Sequence, residues 1–323
     1  MSETSPSTAS SPAWQALIER LQQQNWPQPA LYVVATPIGN LTDLSLRAWY
    51  ALRLADVIAA EDTRTSQPLL QAWRIDTSLM SAHRHNERAA TAVILDRLAQ
   101  GQRVALISDA GAPAVSDPGG QLVQDVREAG FEVIPIPGAN AAISALMATG
   151  ATTDALPMFS FLGFLPARQA ARERMLGRWL GAQAALVMYE APHRIRELVA
   201  DLCQVFGTTR RVSLARELTK RFEETVTLEL GEAAAWVESD PHREQGEYVV
   251  ILHPQADDRA QDTETDPQWE TQQRQAWMAA LLSELSTRDA ARIMAKALGL
   301  PKDICYAQLL AHSRGRNAGS NAE

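Results

Sequence analysis

Short apolar runs, each broken by a loop carrying Gly and Pro, set the rhythm of the first half of the chain. Residues 31–35 (LYVVA) are continuously apolar and too few for a helix, which fits a buried parallel strand. The runs VIAAED, VALIS and FEVIPI, beginning at Val57, Val104 and Phe131, read the same way. Between them the pattern predicts helices: one ending at Leu54 and capped by Asp43 or Ser45, one over residues 87–100, and one over 120–129. Residues 13–24 form a short amphipathic helix ahead of the first strand. This alternation calls for a parallel sheet with right-handed crossovers. Three of the strands break into TPIGNLTD, SDAGAPAVSDPG and PIPGANAAISAL, the last opening a helix so rich in small residues that something must pack closely on it. In an open α/β sheet, ligands lie beyond the C-terminal strand ends, so the function should lie in what these loops hold together.

From Phe159 the pattern changes. FSFLGFLP, a basic helix around 168–181, AALVMYE, a helix from Pro192 to Phe206, RRVSLAREL, TVTLELG and GEYVVILHP suggest a mixed sheet with fewer helices. After a polar, acidic stretch, Trp277 to His312 contains two helical stretches around the LGLP break at 298–301, with Ser286 or Thr287 capping the first. The expected architecture is α/β: a tail and short helix over 1–30, a parallel-sheet domain over 31–155, a mixed domain over 156–254, an acidic linker over 255–272 and a small helical segment over 273–323. Residues 1–12 read as a disordered tail.

Composition changes this picture little. The 323 residues are 46% hydrophobic and 21% charged, ordinary for a globular protein, and no apolar run approaches the ~18 residues of a membrane span. Cys203 and Cys305 are the only cysteines, with neither metal-ligand spacing nor a disulfide framework, and the N-terminus has no secretory pattern; a cytoplasmic protein is expected. Charge is more informative. A net −8 argues against a protein that coats nucleic acid with its whole surface, yet residues 168–221 hold eleven Arg/Lys against five Asp/Glu, and residues 274–316 seven against three. A polyanionic partner fits two such segments, although solvated faces fit them too.

The loops narrow the chemistry. Gly39 lets the first loop bend sharply or approach a ligand, but a single glycine is not the pyrophosphate-cradling G-x-G-x-x-G, and no P-loop lysine follows any strand. Asp109 and Asp117 can bond a ligand's amines or hydroxyls, or cap their own loop; Asn140 can equally be a helix N-cap.

Taken together, LYVVATPIGNLTDLSLRA, AAEDTRTSQPLL, ISDAGAPAVSDPG, PIPGANAAISAL, FLGFLP, YEAPHRI, ARELTKRFEE and GEYVVIL resemble the tetrapyrrole-methylase superfamily of S-adenosylmethionine (SAM)-dependent methyltransferases. TPIGN and SDAG, in place of a more glycine-rich first loop and a GDP string, point to its RNA-modifying branch, which 2′-O-methylates a decoding-centre cytidine of 16S ribosomal RNA. The resemblance implies a two-domain homodimer with SAM in the cleft between domains, and the small ribosomal subunit as partner. It implies that Pro37, Gly39, Ser108, Asp109, Ala110, Gly111, Ser116, Pro137, Gly138, Ala139 and Asn140 border the cofactor, with Tyr189 and the segment Leu214 to Leu218 closing the adenine side. No metal is required. Candidates for taking the acceptor's proton are Asp109, Glu61, Asp62, Glu190 and Lys220. Arg64, His193, Arg194, Arg216, Lys220 and Arg221 are candidates for RNA contact, as are Arg288, Arg292, Lys296 and Lys302 in a C-terminal arrangement similar to a helix-turn-helix. Methylation of a tetrapyrrole is the alternative.

Overall fold

The computed structural model describes residues 12–83, 86–255, 277–298 and 301–319, so residues 1–11 of the expected tail, 256–272 of the acidic linker and Gly299 lie outside the described residues, while Pro12 opens a helix. The chain divides into two compact units, residues 1–255 and 256–323.

The first unit contains two five-stranded sheets. Helix α1 (Pro12–Gln22) precedes β1 (Ala30–Val34); α2 (Leu46–Leu54), β2 (Val57–Ala60), α3 (Thr63–Ala72), β3 (Leu79–Ser81), α4 (Glu87–Ala99), β4 (Arg103–Ile107), α5 (Gly120–Glu128), β5 (Glu132–Ile136) and α6 (Ala141–Thr149) follow. The strands pair in parallel in the order β3-β2-β4-β1-β5. That order explains the convergence expected of the three loops. They leave β1, β4 and β5, which are immediate neighbours, with Val33 level with Leu106 and Val34 level with Ile136. Ser45 caps α2 by accepting from the Ala48 N–H at 3.1 Å.

The second sheet is built from β6 (Phe159–Phe164), β7 (Ala185–Glu190), β8 (Arg211–Arg216), β9 (Glu224–Glu229) and β10 (Tyr248–Leu252), in the order β6-β7-β10-β8-β9. Only β6 and β7 are parallel, giving the mixed sheet expected. Helices α7 (Gln169–Gly177), α8 (Ile195–Phe206) and α9 (Leu230–Glu238) cover it. Helix α6 belongs by sequence to the first sheet, but its Ala142, Ala145 and Leu146 are buried with Val187, Ala215 and Val249 of the second. Its small residues permit that close approach.

Three elements depart from the expected pattern. Helix α3 forms despite Pro68 because Asp62 accepts from the Arg64 N–H at 2.8 Å and caps it. Strand β3 is a three-residue edge with no strong apolar signal. Strand β9 ends at Glu229, which opens α9 directly through a capping box with Glu232, so TVTLELG is not strand to its end.

In the second unit, residues 277–284 form α10, and α11 (Thr287–Leu298) and α12 (Lys302–Gly319) follow, one helical stretch more than expected. Ser286 is the cap: its Oγ accepts from the Asp289 N–H at 3.2 Å. Met278, Ala290, Ala291, Met294, Cys305 and Leu309 form its core.

Candidate functional site

The first and second loops are tied directly. Thr36 donates its N–H to the Gly111 carbonyl at 2.8 Å and accepts the Gly111 N–H at 3.1 Å, a single antiparallel bridge beyond the parallel strands. The third loop closes on the same point. A Cβ on Gly111 would stand 3.3 Å from Ile38 Cγ2 and 3.7 Å from the Ala139 carbonyl, and Gly111 sits at φ +76°, where glycine is unstrained. Gly138 lies against β1, with room for no side chain: a Cβ would meet Ala35 Cβ at 3.0 Å and its carbonyl oxygen at 3.2 Å. Gly138 and Pro137 therefore shape the third loop; the Pro137 carbonyl accepts from Ser45 Oγ at 3.3 Å. Ser108 is buried and braces its own loop by donating to the Ala110 carbonyl at 3.2 Å.

Between these loops and the second sheet lies a cavity of about 480 Å³. Its wall on the first side is Ile38, Ala110 to Ala112, Val115, Asp117 and Asn140. Asn140 is also the N-cap of α6, accepting from the Ile143 N–H at 3.1 Å, so both readings of that residue hold. The facing wall comes from the ends of β7, β8 and β10: Tyr189, Glu190, Ala215, Glu217, Leu218, Glu247 and Val249, with Phe164, His193 and Lys220. Tyr189 bridges the two sides, its hydroxyl accepting the Ala142 N–H at 3.2 Å, and burial raises its pKa.

Lys220 crosses from the second side to the first. Its Nζ donates to Glu217 at 2.8 Å and Glu247 at 2.9 Å. Gly39 makes room for it, since a Cβ there would overlap Lys220 Cγ. Gly246, at φ +84°, does the same for the Glu217 side chain. Burial works to lower the Lys220 pKa, but the bonds to the two carboxylates outweigh it and the pKa is raised. Lys220 is thus held as a cation between two carboxylates.

The other candidate bases separate clearly. Asp62 is committed: its hydrogen bonds from Arg64 hold its pKa at about 2, and it caps α3. Glu61 stands beside it at the end of β2, its N–H bonded to the Ile107 carbonyl at 3.3 Å. Asp109 accepts the Asp62 N–H at 3.0 Å, and burial raises its pKa. Glu190 is buried; one oxygen accepts the Ala191 N–H at 2.8 Å, and the other has no hydrogen bond and lies 3.3 Å from the Arg194 guanidinium. Burial raises its pKa, with Ala191 and Arg194 opposing.

The basic candidates divide as well. Arg216 is buried, its NH1 donating to the His242 and Gln245 carbonyls at 3.2 Å each, so it braces a turn and does not face outward as expected. Arg194 donates to the Leu165 and Pro166 carbonyls. Arg64, His193 and Arg221 are exposed. In the second unit Arg288, Arg292 and Lys296 are exposed and spaced four apart, forming one stripe on α11. Ser116 stands between the lining residues Val115 and Asp117, with its Oγ against Gly163.

The arrangement fits a nucleoside carrying a positive charge. Ile38, Leu218 and Val249 offer apolar faces, and Asp117, Glu190, Glu217 and Glu247 outnumber Lys220 around it. Expectation missed Phe164 and Glu247. The signal for Phe164 was Gly163, an isolated glycine within a strand pattern.

Residues 30–234 match the family described as Tetrapyrrole (Corrin/Porphyrin) Methylases, and residues 271–313 match the RsmI C-terminal HTH domain. The chain is similar to Ribosomal RNA small subunit methyltransferase I of Pseudomonas aeruginosa, 44% identical over 87% of this chain and 96% of that protein. It is similar to the protein of the same name from Neisseria meningitidis serogroup B, 41% identical over 85% and 91%. Among solved structures, a cobalt precorrin-4 methyltransferase superposes with a TM-score of 0.53 at 14% identity, covering 69% of this chain and 94% of that one; this likeness concerns the fold. No helix among the described residues is long and apolar enough to cross a membrane.

Proposed function

Since the chain belongs to the tetrapyrrole methylase family, we propose that it transfers a methyl group from SAM to the 2′-hydroxyl of a decoding-centre cytidine in 16S rRNA. The observation that carries this reading is 41–44% identity to proteins named Ribosomal RNA small subunit methyltransferase I across more than nine-tenths of their length. The tetrapyrrole alternative has behind it the superfamily match over residues 30–234 and a shared fold at 14% identity, neither of which reaches the identity to the rRNA methyltransferases.

SAM would bring a methyl group already activated by its sulphonium. The chain's own task is then positioning: holding an acceptor oxygen in line with the breaking bond, which rigid loops achieve by removing translational and rotational freedom in advance. Gly111, Ala110 and Asn140 would hold the donor from the first side, with Tyr189 and Leu218 on the second. The excess of carboxylates in the wall complements the donor's positive charge. Asp109 and Glu190 are the two candidates whose pKa burial raises, which makes them better proton acceptors than Asp62. Arg64, His193 and Arg221, with the α11 stripe Arg288, Arg292 and Lys296, would hold phosphates and position RNA without reading its sequence.

By the same resemblance the enzyme acts as a homodimer, in the cytoplasm where ribosomal subunits are assembled; sedimentation of the full chain checks the dimer. Incubation with tritiated SAM and unmodified small subunits should place label on one ribose. No ribose label, or label on a corrinoid or porphyrinoid precursor instead, overturns the proposal.

A further inference from the structure

The cavity carries one aromatic ring that nothing above uses. Phe164 lines the wall yet is 59% exposed, while Phe161, three residues earlier on the same strand, is partly buried. In a regular strand, residues three apart point to opposite faces. Here both rings pack against Tyr189, with centroids 4.9 Å and 5.5 Å away and planes inclined at 67° and 64°. The cause is a bulge. Register with β7 shifts between Phe161 and Gly163, leaving Leu162 as the extra residue, and Gly163 takes φ +64°. One inserted residue turns Phe164 from the helix-covered face of the sheet to the cavity face, the kind of re-aiming that bulges accomplish beside functional sites.

The chain just past Phe164 is held firmly. Arg194 donates to the Leu165 and Pro166 carbonyls at 3.0 and 3.4 Å, and Arg172 to those of Pro166 and Ala167 at 3.3 Å each. Arg172 is itself buried and paired with Asp201. A single exposed apolar side chain is ordinary. One turned to a cavity by a bulge and fixed by two arginines has a place prepared for a flat partner.

We propose that Phe164 is the platform on which the base of the acceptor nucleotide stacks while its ribose enters the cavity. The inference rests on the proposed rRNA activity and deepens it. Reaching a ribose hydroxyl in structured RNA requires an exposed, unstacked nucleotide, and proteins hold such bases on aromatic rings. A cofactor's adenine would instead be enclosed by the buried side chains Ala215, Leu218 and Val249, deeper than a ring that is more than half open to solvent. Phe222, 66% exposed and two residues past the cavity-lining Lys220, carries the Arg221 guanidinium 5.5 Å over its ring, a second aromatic suited to RNA.

The test compares Phe164→Ala, Phe164→Leu and Phe164→Trp in the full chain, measuring KM for small subunits and, by calorimetry, Kd for SAM. Phe164→Ala should raise KM roughly tenfold or more, Phe164→Trp should recover most of that loss, Phe164→Leu should not, and Kd for SAM should hold. Retained SAM affinity also shows that each variant is folded. Equal weakening of SAM binding identifies a donor-side ring and overturns the inference. So does Leu performing as well as Trp, which marks a merely apolar wall, or an unchanged KM in Phe164→Ala. If the wild-type protein labels no ribose, the proposed function fails and the inference falls with it. If the wild type labels ribose and Phe164→Ala does so equally well, only the inference fails.

Discussion

The two sheets of the first unit wall one cavity but are built from opposite materials. Around the parallel sheet, the buried polar side chains among the described residues are all hydroxyls: Thr36, Ser66, Thr91 and Ser108. Around the mixed sheet they include Arg172, Glu190, Asp201, Arg210, Arg216 and His253. The first side gives the cavity tightly packed loops, with Gly111 and Gly138 at their close approaches and Asp117 in the wall; the second gives it most of the charged and aromatic side chains. Damage should therefore follow different rules. The first side is broken by adding atoms, the second by removing them or changing pH.

The largest effect is expected on the second side. Arg172→Met leaves Asp201 buried with Gln169 but no cation against it and takes one donor from each of the Pro166 and Ala167 carbonyls; urea unfolding should show a loss of about 3–5 kcal/mol. A loss below one kcal/mol, on the order of a surface pair, would erase the contrast. On the first side, Gly138→Val drives a side chain into Ala35 and should cost about 1–3 kcal/mol. Because the third loop shifts with it, SAM affinity measured by calorimetry should fall more steeply than stability.

Acid sharpens the comparison further. His253 is buried, and burial first, then Arg211 and Arg210, lower its pKa from 6.5 to about 4. Its ring instead bonds Ser213 Oγ at 2.7 Å. The unfolded chain takes up this proton and the folded one does not, so stability is full above pH 6.5 and drains away as pH falls toward 4. Between pH 6.5 and 5 the loss should be about 2 kcal/mol, and His253→Gln should flatten that slope in urea titrations at matched pH. The smallest effect is expected at Arg64, whose side chain is 89% exposed and pairs with Asp62 at 2.7 Å. Arg64→Ala should leave the urea midpoint unchanged, as for an exposed ion pair, while lowering the salt dependence of RNA binding by about one phosphate contact. An unchanged salt slope would remove Arg64 from the RNA surface.

Much of this was legible before any coordinates. The runs at Leu31 and Val104 are readable because buried parallel strands are apolar on both faces, the half-buried edge run at Val133 because it is short and apolar, and the small-residue helix after Asn140 announces a close neighbour. What escaped notice depended on distant partners. Helix α3 is polar and contains Pro68, and only its Asp62 cap and packed Leu69 and Leu70 reveal it. Arg216 looked like any other cation in a basic stretch, and burial against two carbonyls gave it a structural task. Lys220 reads in the sequence as a candidate base, and only the fold sets both Glu217 and Glu247 against its ammonium.

The chain's own order of residues determined the alternation of strand and helix, the loops at Gly39, Asp109 and Gly138, and the family to which they belong, because periodicity and backbone permissiveness are local properties. Tertiary structure alone decided that these loops meet, since that follows from β4, β1 and β5 lying side by side. It alone decided which charges are spent on the fold and which face the cavity, and that a bulge at Leu162 turns Phe164 toward it. Burial, pairing and register arise between residues far apart in the chain, and no local pattern encodes them.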